Sequence, residues 1–405
     1  MSTFSFSERA MKFQAGIFAV LNEKKRELQE KGDLTIYNLS VGTPDFPTPA
    51  HITQAVSEAA KDPENYKYSL TDRPFLLSAV EDFYQKRFGV SLEDEEIMTI
   101  SGSQEGMAHI ALALCDPGDV VLVPNPGYPI FSIGPQLCAA QAVTYDLLEQ
   151  NGYLPDLDAI PAETARKAKY ILVSYPLNPV CAAADDAFYV RLIAWAKQHQ
   201  VIVIHDNAYS DIIFGGRTGK SFLSYPGAKD IGVEFYSLSK SYNMTGARTS
   251  LVVGNREIVK VFRDLRSQFD YGMFLPLQYG IAAALNGPQD SVRQQCAWYE
   301  ERMTALCQGL RRIGWNVPDS EGTMFVWAPL PDGRQDSTAF TMELMEKSGL
   351  IVTPGAAFGS LGEGYVRMAL VLPPDQMRAA AEAVQRSGII HSASSCDHRI
   401  SDRNA

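Results

Sequence analysis

The chain has 405 residues, 46% of them hydrophobic and 20% charged, a mix that excludes a disordered chain, a collagen-like repeat and a simple coiled coil. It is long enough to bury a large core and to divide into two packed units. With 36 Lys and Arg against 47 Asp and Glu, a formal charge of −11 and no basic run, it is unsuited to a nucleic-acid backbone.

No apolar run is long enough to span a bilayer, and the first residues lack a secretory h-region, so no membrane association is expected. Six scattered cysteines, with no CxxC pair and no histidine cluster, argue against a metal site or a disulfide framework. They point to a reducing cytoplasm.

Residues 14–31 read as a helix, and Glu23-Lys24-Lys25-Arg26-Glu27 as its solvated face. A loop rich in turn formers follows at 41–49. From about residue 98 to 253, short apolar runs alternate with helix-period segments. The runs 120–123, 170–173, 201–204 and 250–253 look like strands buried on both faces, as parallel strands between helices must be. After Ser101, the residues Met107, Ile110, Ala111 and Leu114 recur at helical spacing. The fold class read from this alternation is α/β with a mostly parallel sheet. A charged helix is expected at 289–314, strands at 324–327 and 365–368, and a closing helix near 374–386. The expected organisation is a large domain at 49–288 and a smaller α+β domain from both chain ends, 1–48 and 289–392. A loose polar tail is expected at 393–405.

Chemistry concentrates at the ends of the apolar runs. Lys240 closes a strand-like run amid small hydroxyl residues (Ser237-Leu238-Ser239-Lys240-Ser241), and Arg248 follows eight positions later (248 − 240 = 8). A neutral lysine is the side chain that forms Schiff bases with carbonyls, although a solvated loop lysine gives the same local pattern. Asp206 follows the run 201–204, at a strand end where open α/β sheets bind ligands. A carboxylate there can keep a pyridinium nitrogen protonated; it can equally cap a helix. Ser101-Gly102-Ser103-Gln104-Glu105-Gly106 suits a phosphate at a helix start, and Ser101-x-x-Gln104 also fits a plain capping box. Tyr128, in Pro126-Gly127-Tyr128-Pro129, and Asn178-Pro179 stand at two further strand ends, where turn chemistry is the simpler reading of each alone. Together these outposts can hold a phosphate, stack a ring, pair its nitrogen and link it to a lysine.

These motifs, in this order over about residues 13–390, resemble the class I/II aminotransferases of the aspartate aminotransferase superfamily, pyridoxal-phosphate enzymes of fold type I. The segments 102–106, 117–124 and 205–210 look most like the LL-diaminopimelate aminotransferases. The resemblance implies Lys240 as the lysine that carries the cofactor and shuttles the proton, with Asp206 as partner of the pyridine nitrogen. It implies Tyr209 and Asn178 as donors to the ring oxygen, and Tyr128 as the stacking ring. Ser237, Arg248 and the amides of Ser103 and Gln104 would hold the phosphate, and Tyr68 would reach it from the neighbouring subunit of a homodimer with shared active sites. Arg367 would grip the substrate α-carboxylate, helped by Asn178 and the backbone at Gly42, a role that suits a planar guanidinium.

Three departures stand out. The family continues Asn-Pro with Thr-Gly, where this chain has Val180-Cys181. It often has a tryptophan before the phosphate arginine and a glycine soon after it, where this chain has Ala247 and Ser250. Cys181 reads better as a packed small residue than as a redox handle. The implied activity is transfer of an amino group between an amino acid and a 2-oxo acid. A C–S β-lyase on the same fold and a non-catalytic effector domain are the alternatives, the latter disfavoured because only about forty residues precede Gly42. The lysine that some dicarboxylate-specific members carry in the glycine loop is Gln104 here, and 268–287 holds no Lys or Arg. Tyr271, Met273 and Phe274 on that segment therefore suggest a partly apolar pocket, with Arg73 as a distant cation and a donor longer than aspartate.

Overall fold

The computed structural model describes residues 4–13 and 17–390. The expected tail at 393–405 and the first three residues of the 14–31 helix lie outside the described residues. In chain order the strands are β1 (Tyr37–Asn38), β2 (Ile97–Ile100), β3 (Val120–Asn125), β4 (Gln141–Asp146), β5 (Ala168–Ser174), β6 (Ile202–Asn207), β7 (Gly232–Ser237), β8 (Ser250–Gly254), β9 (Phe325–Pro329), β10 (Leu350–Ile351), β11 (Thr353–Pro354) and β12 (Tyr365–Ala369). The sheet that organises the molecule runs β2-β8-β7-β6-β5-β3-β4.

Its central strands are buried on both faces, which is why their sequences read as continuous apolar runs rather than alternating ones. In β5, residues Tyr170, Ile171, Leu172 and Val173 are all buried; in β7 every residue is, the charged Glu234 included. The helix Asp186–His199 illustrates a crossover. Asp185 caps it by accepting from the Phe188 amide at 2.7 Å. Phe188, Leu192, Ile193, Trp195 and Ala196 give it a buried stripe, and Gln200, at φ 56°, turns the chain back into β6.

The run 250–253, grouped with the parallel strands on sequence, pairs antiparallel with both neighbours, β2 and β7. The reason is the connection. A parallel return needs a crossover that carries the chain back along the sheet, usually a full helix. Residues 238–249 instead hold only a one-turn helix, Leu238–Ser241, and a 3₁₀ turn, Thr245–Ala247.

Strands from the two chain ends form two smaller sheets. β9, β11 and β12 make an antiparallel sheet in the order β11-β12-β9, while β1 pairs parallel with β10 through Tyr37↔Leu350 and Asn38↔Ile351. The helix Ile17–Lys31 sets Leu21 and Leu28 against Met345 and Ile351, and Lys24 reaches Glu346 at 2.8 Å. The long helix Asp290–Arg312 packs against the closing helix Pro374–Ser387, which lies beside β10.

Candidate active site

Near the carboxyl ends of β5, β6 and β7 lies a cavity of about 500 Å³, and every cofactor- or carboxylate-binding residue expected from sequence except Tyr68 lines it. Lys240 arrives there because β7 ends at Ser237 and the chain turns at once into the helix Leu238–Ser241, capped by Ser237 Oγ, which accepts from the Ser239 amide. The Lys240 Nζ donates to the Gly42 carbonyl at 2.7 Å. Gln295 fixes the backbone beneath it by donating to the Lys240 carbonyl at 2.6 Å. Burial, then the cations Arg367 and Arg248, lower the lysine to a pKa of about 8. The amine is thereby brought within reach of its neutral, nucleophilic form.

Asp206 lies inside β6, which continues to Asn207, so it caps no helix. Its Oδ1 is buried without a partner. Burial first, and then the charge on Glu234, raise the carboxyl to a pKa of about 7. An acceptor buried without a donor is a standing cost that a ring N–H⁺ would remove.

The helix Ser103–Leu114 starts at Gly102, with φ 93° and no side-chain cap. The expected capping box is not formed, because Ser101 falls one residue ahead of the cap. A Cβ at position 102 would fall on the guanidinium of Arg248, so only glycine admits this approach. The outcome is a set of uncapped helix amides facing an arginine, a cradle for an anion. Arg248 is itself held by donation to the Thr245 carbonyl at 3.1 Å. Tyr128 donates to Gln104 Oε1 at 3.2 Å, and burial raises its phenol.

Arg367 projects from β12, nearly inaccessible to solvent. It donates to Asn178 Oδ1 at 2.9 Å and to the Ser40 carbonyl at 3.0 Å, and its guanidinium carbon sits 4.1 Å from the Phe325 ring centre. Its Nε is buried without a partner. Burial lowers its pKa only to about 10, so it stays cationic at neutral pH. Tyr209 is buried beside Phe325. The cavity therefore sets three cationic side chains (Lys240, Arg248, Arg367) against the carboxyl of Asp206, a balance suited to a phosphate and a second carboxylate.

Tyr68 is 77% exposed and lies outside this cavity, against Tyr271 at 5.1 Å between ring centres. The segment expected to wall the pocket does not do so within one chain. Met273 is buried in the core, whereas Tyr271 and Phe274 are exposed beside Tyr68 and Tyr66. Sequence reasoning missed Asn22, Thr43, Thr245 and Phe325 in the cavity wall and Ser40 behind Arg367. Phe325 carried only a strand signal. Asn22, on the helix Ile17–Lys31, carried no local signal at all. Cys181 is a packed residue, as read: it is buried, with burial raising its thiol to a pKa of about 11, which leaves it inert.

The family model for class I and II aminotransferases matches residues 35–384. The chain belongs to the class I and II aminotransferases. It is 40% identical over 372 residues to LL-diaminopimelate aminotransferase from Moorella thermoacetica, across 91% of this chain and 95% of that protein. The enzyme of the same name from Aquifex aeolicus is 41% identical over 384 residues, across 94% and 99%. Among solved structures, substrate-bound BacF from Bacillus subtilis superposes with a TM-score of 0.91 at 35% identity, across 95% and 98% of the two chains. A probable N-succinyldiaminopimelate aminotransferase from Thermus thermophilus gives 0.87 at 34%, across 92% and 100%. The protein is thus an aminotransferase with the aspartate aminotransferase-type fold, and amino-group transfer is its reaction class.

For this aminotransferase, the bonding of Arg367 makes a prediction. A lysine there keeps the charge but loses the planar fork and its two simultaneous bonds. Arg367→Lys is expected to raise KM for amino donors by roughly 10²-fold, equivalent to about 3 kcal/mol, with a smaller change in the limiting rate. Stopped-flow half-reactions over a range of donor concentration separate the two; an unchanged KM would remove Arg367 from substrate binding.

Proposed function

We propose that the cavity holds pyridoxal 5′-phosphate and that the chain transfers an amino group from LL-diaminopimelate, or a similarly long amino acid, to a 2-oxo acid. The observation that carries this is the convergence of Lys240, Asp206 and Arg248 on one cavity, with Asp206 Oδ1 buried and unpartnered. When bound, the cofactor supplies an electron sink for charge developing at the substrate Cα. The chain's own residues do the rest. Asp206 would keep the ring nitrogen protonated, Asn178 and Tyr209 would donate to the ring oxygen, and Tyr128 would supply the stacking ring. Arg248, Ser237 and the amides of Ser103 and Gln104 hold the phosphate. Arg367, with Asn178 and the backbone at Gly42, orients the donor's α-carboxylate, and Lys240 Nζ binds the cofactor and then moves the proton at Cα.

The donor assignment follows the names of the relatives and the absence of any Lys or Arg in 268–287. Aspartate's short distal carboxylate would meet no paired cation in a closed site, a costly burial. LL-diaminopimelate is therefore expected to exceed aspartate in kcat/KM by at least about tenfold, read as loss of cofactor absorbance after mixing with each donor alone. A faster reaction with aspartate would overturn the donor assignment. Release of pyruvate and ammonia from a cysteine conjugate at a comparable rate would favour the lyase alternative.

A homodimer with shared sites is part of the proposal. Tyr66, Tyr68, Phe75, Tyr271, Phe274 and Tyr279 are exposed on two segments and pair ring to ring, with Leu70 exposed among them in sequence, an apolar face of the kind that marks interfaces. A two-fold pairing on that face would bring Tyr68 to the partner's cavity. Sedimentation is expected to give twice the chain mass, and a fully active monomer would end the idea. The organisation into a large unit, 49–288, and a smaller one, 1–48 with 289–392, belongs to the same reading, as does a cytoplasmic location.

A further inference from the structure

Three segments of the anion cradle meet at a hydroxyl that the proposed phosphate set leaves out. β8 begins at Ser250, in register with Ile100, the last residue of β2, and with Ser237, the last residue of β7. β2 leads through Gly102 to Ser103, β7 leads to Lys240, and Arg248 precedes Ser250 by two positions (250 − 248 = 2). Ser250 is fully buried. Its Oγ shares a hydrogen bond with Ser103 Oγ at 3.1 Å, and Ser103 lines the cavity. The resembling family often has glycine at this place, so the hydroxyl is a feature of this chain.

We propose that Ser250 is a positioning residue for the anionic end of the cofactor, acting through the hydroxyl of Ser103; the inference rests on the pyridoxal-phosphate reading above. A serine hydroxyl has one proton to donate and lone pairs to accept with. With no anion present, either hydroxyl can donate to the other. A phosphate at the start of the helix Ser103–Leu114 accepts and does not donate, so Ser103 must turn its proton toward the anion. Its oxygen is then left needing a donor. Ser250 is the group within reach, and because it is shut away from solvent its proton gains by turning to Ser103. The two hydroxyls then point one way, Ser250 to Ser103 to phosphate, and each bond polarises the next. Removing the Ser250 hydroxyl leaves Ser103 without that donor and its rotamer without an anchor.

The test is a titration of the cofactor-free protein, followed by intrinsic fluorescence, with pyridoxal phosphate and separately with pyridoxal, which lacks the phosphate. Ser250→Ala is expected to weaken pyridoxal phosphate binding about 5- to 10-fold and to leave pyridoxal within about twofold. Ser103→Ala should weaken pyridoxal phosphate similarly, and the Ser103→Ala/Ser250→Ala pair should lose no more than Ser103→Ala alone, because the two act as one chain. Ser250→Gly gives the same comparison should the alanine variant fail to fold. Equal weakening of both ligands, additive losses in the pair, or no loss at all would each overturn the proposal. A wild-type protein that takes up neither ligand would instead overturn the cofactor reading itself, a result distinguishable from these.

Discussion

Replacing Lys240 by alanine is expected to lower the rate of amino-group transfer by at least roughly 10⁴-fold, since in the proposed function one residue supplies both the nucleophile and the mobile proton. The fold should survive. Among the described residues Lys240 makes a single side-chain hydrogen bond, to the Gly42 carbonyl, and its burial depresses its pKa, so the ammonium is a cost to the cofactor-free protein rather than a support. The same depression has a direct readout. Trace acetylation of the cofactor-free protein over a pH series, mapped by peptide, should give a midpoint of about 8 for Lys240, against about 10.4 for ordinary lysines. Below that midpoint the amine is protonated and unreactive; above it, Lys240 should label ahead of the exposed lysines. A midpoint no different from theirs would contradict the buried, cation-flanked environment.

Asp206→Asn should separate function from stability. An asparagine keeps the shape but cannot hold a ring nitrogen protonated, and losing one partner of a buried pair costs about 3–5 kcal/mol. Activity should fall by roughly 10² to 10⁴-fold. The cofactor-free protein should behave in the opposite way. Asp206 titrates near 7 when folded, against an ordinary 3.8, so the folded state keeps its proton where the unfolded chain has lost it. Its contribution is therefore fully favourable below about pH 4 and is lost as pH rises through 7. The wild-type protein should lose on the order of 4 kcal/mol across that window from this group alone, and Asp206→Asn should not. Denaturant unfolding of both proteins at pH 4 and pH 8 measures the difference. Equal pH dependence in the two would mean that the carboxyl is solvated.

Much of the cavity wall was legible because each strand end carries its own local signature. An apolar run followed by Asp206, by Ser237 to Lys240 or by Asn178 announces both the strand and the edge where side chains emerge. The direction of β8 was not legible. Apolar content reports burial on two faces and is blind to strand polarity, which here depends on the short 238–249 connection. The cap at Gly102 was misjudged by one residue because the pattern Ser101-x-x-Gln104 carries no information on φ, whereas the approach of Arg248 demands glycine. Cys181 illustrates the reverse. It stands at φ 63°, in the left-handed region that glycine adopts most readily, at the position where the resemblance leads one to expect glycine. Asn22 and Ser40 had no signature, since they reach the site through the packing of the chain ends.

The reversal of β8 also bears on how the site assembles. Because β7 and β8 are antiparallel neighbours, Ser237, Arg248 and Ser250 come together when one loop of about a dozen residues closes, which costs little chain entropy. The carboxylate grip is assembled differently. Arg367 is tied to Asn178 across 189 positions and to Ser40 across 327, contacts that exist only once both ends of the chain have docked. The Ser237–Ser250 side of the anion cradle is a local product of folding, whereas its Ser103 side, 147 positions from Ser250, and the grip at Arg367 are long-range ones. Partial unfolding from the ends is therefore expected to disrupt the proposed carboxylate grip before the proposed phosphate cradle.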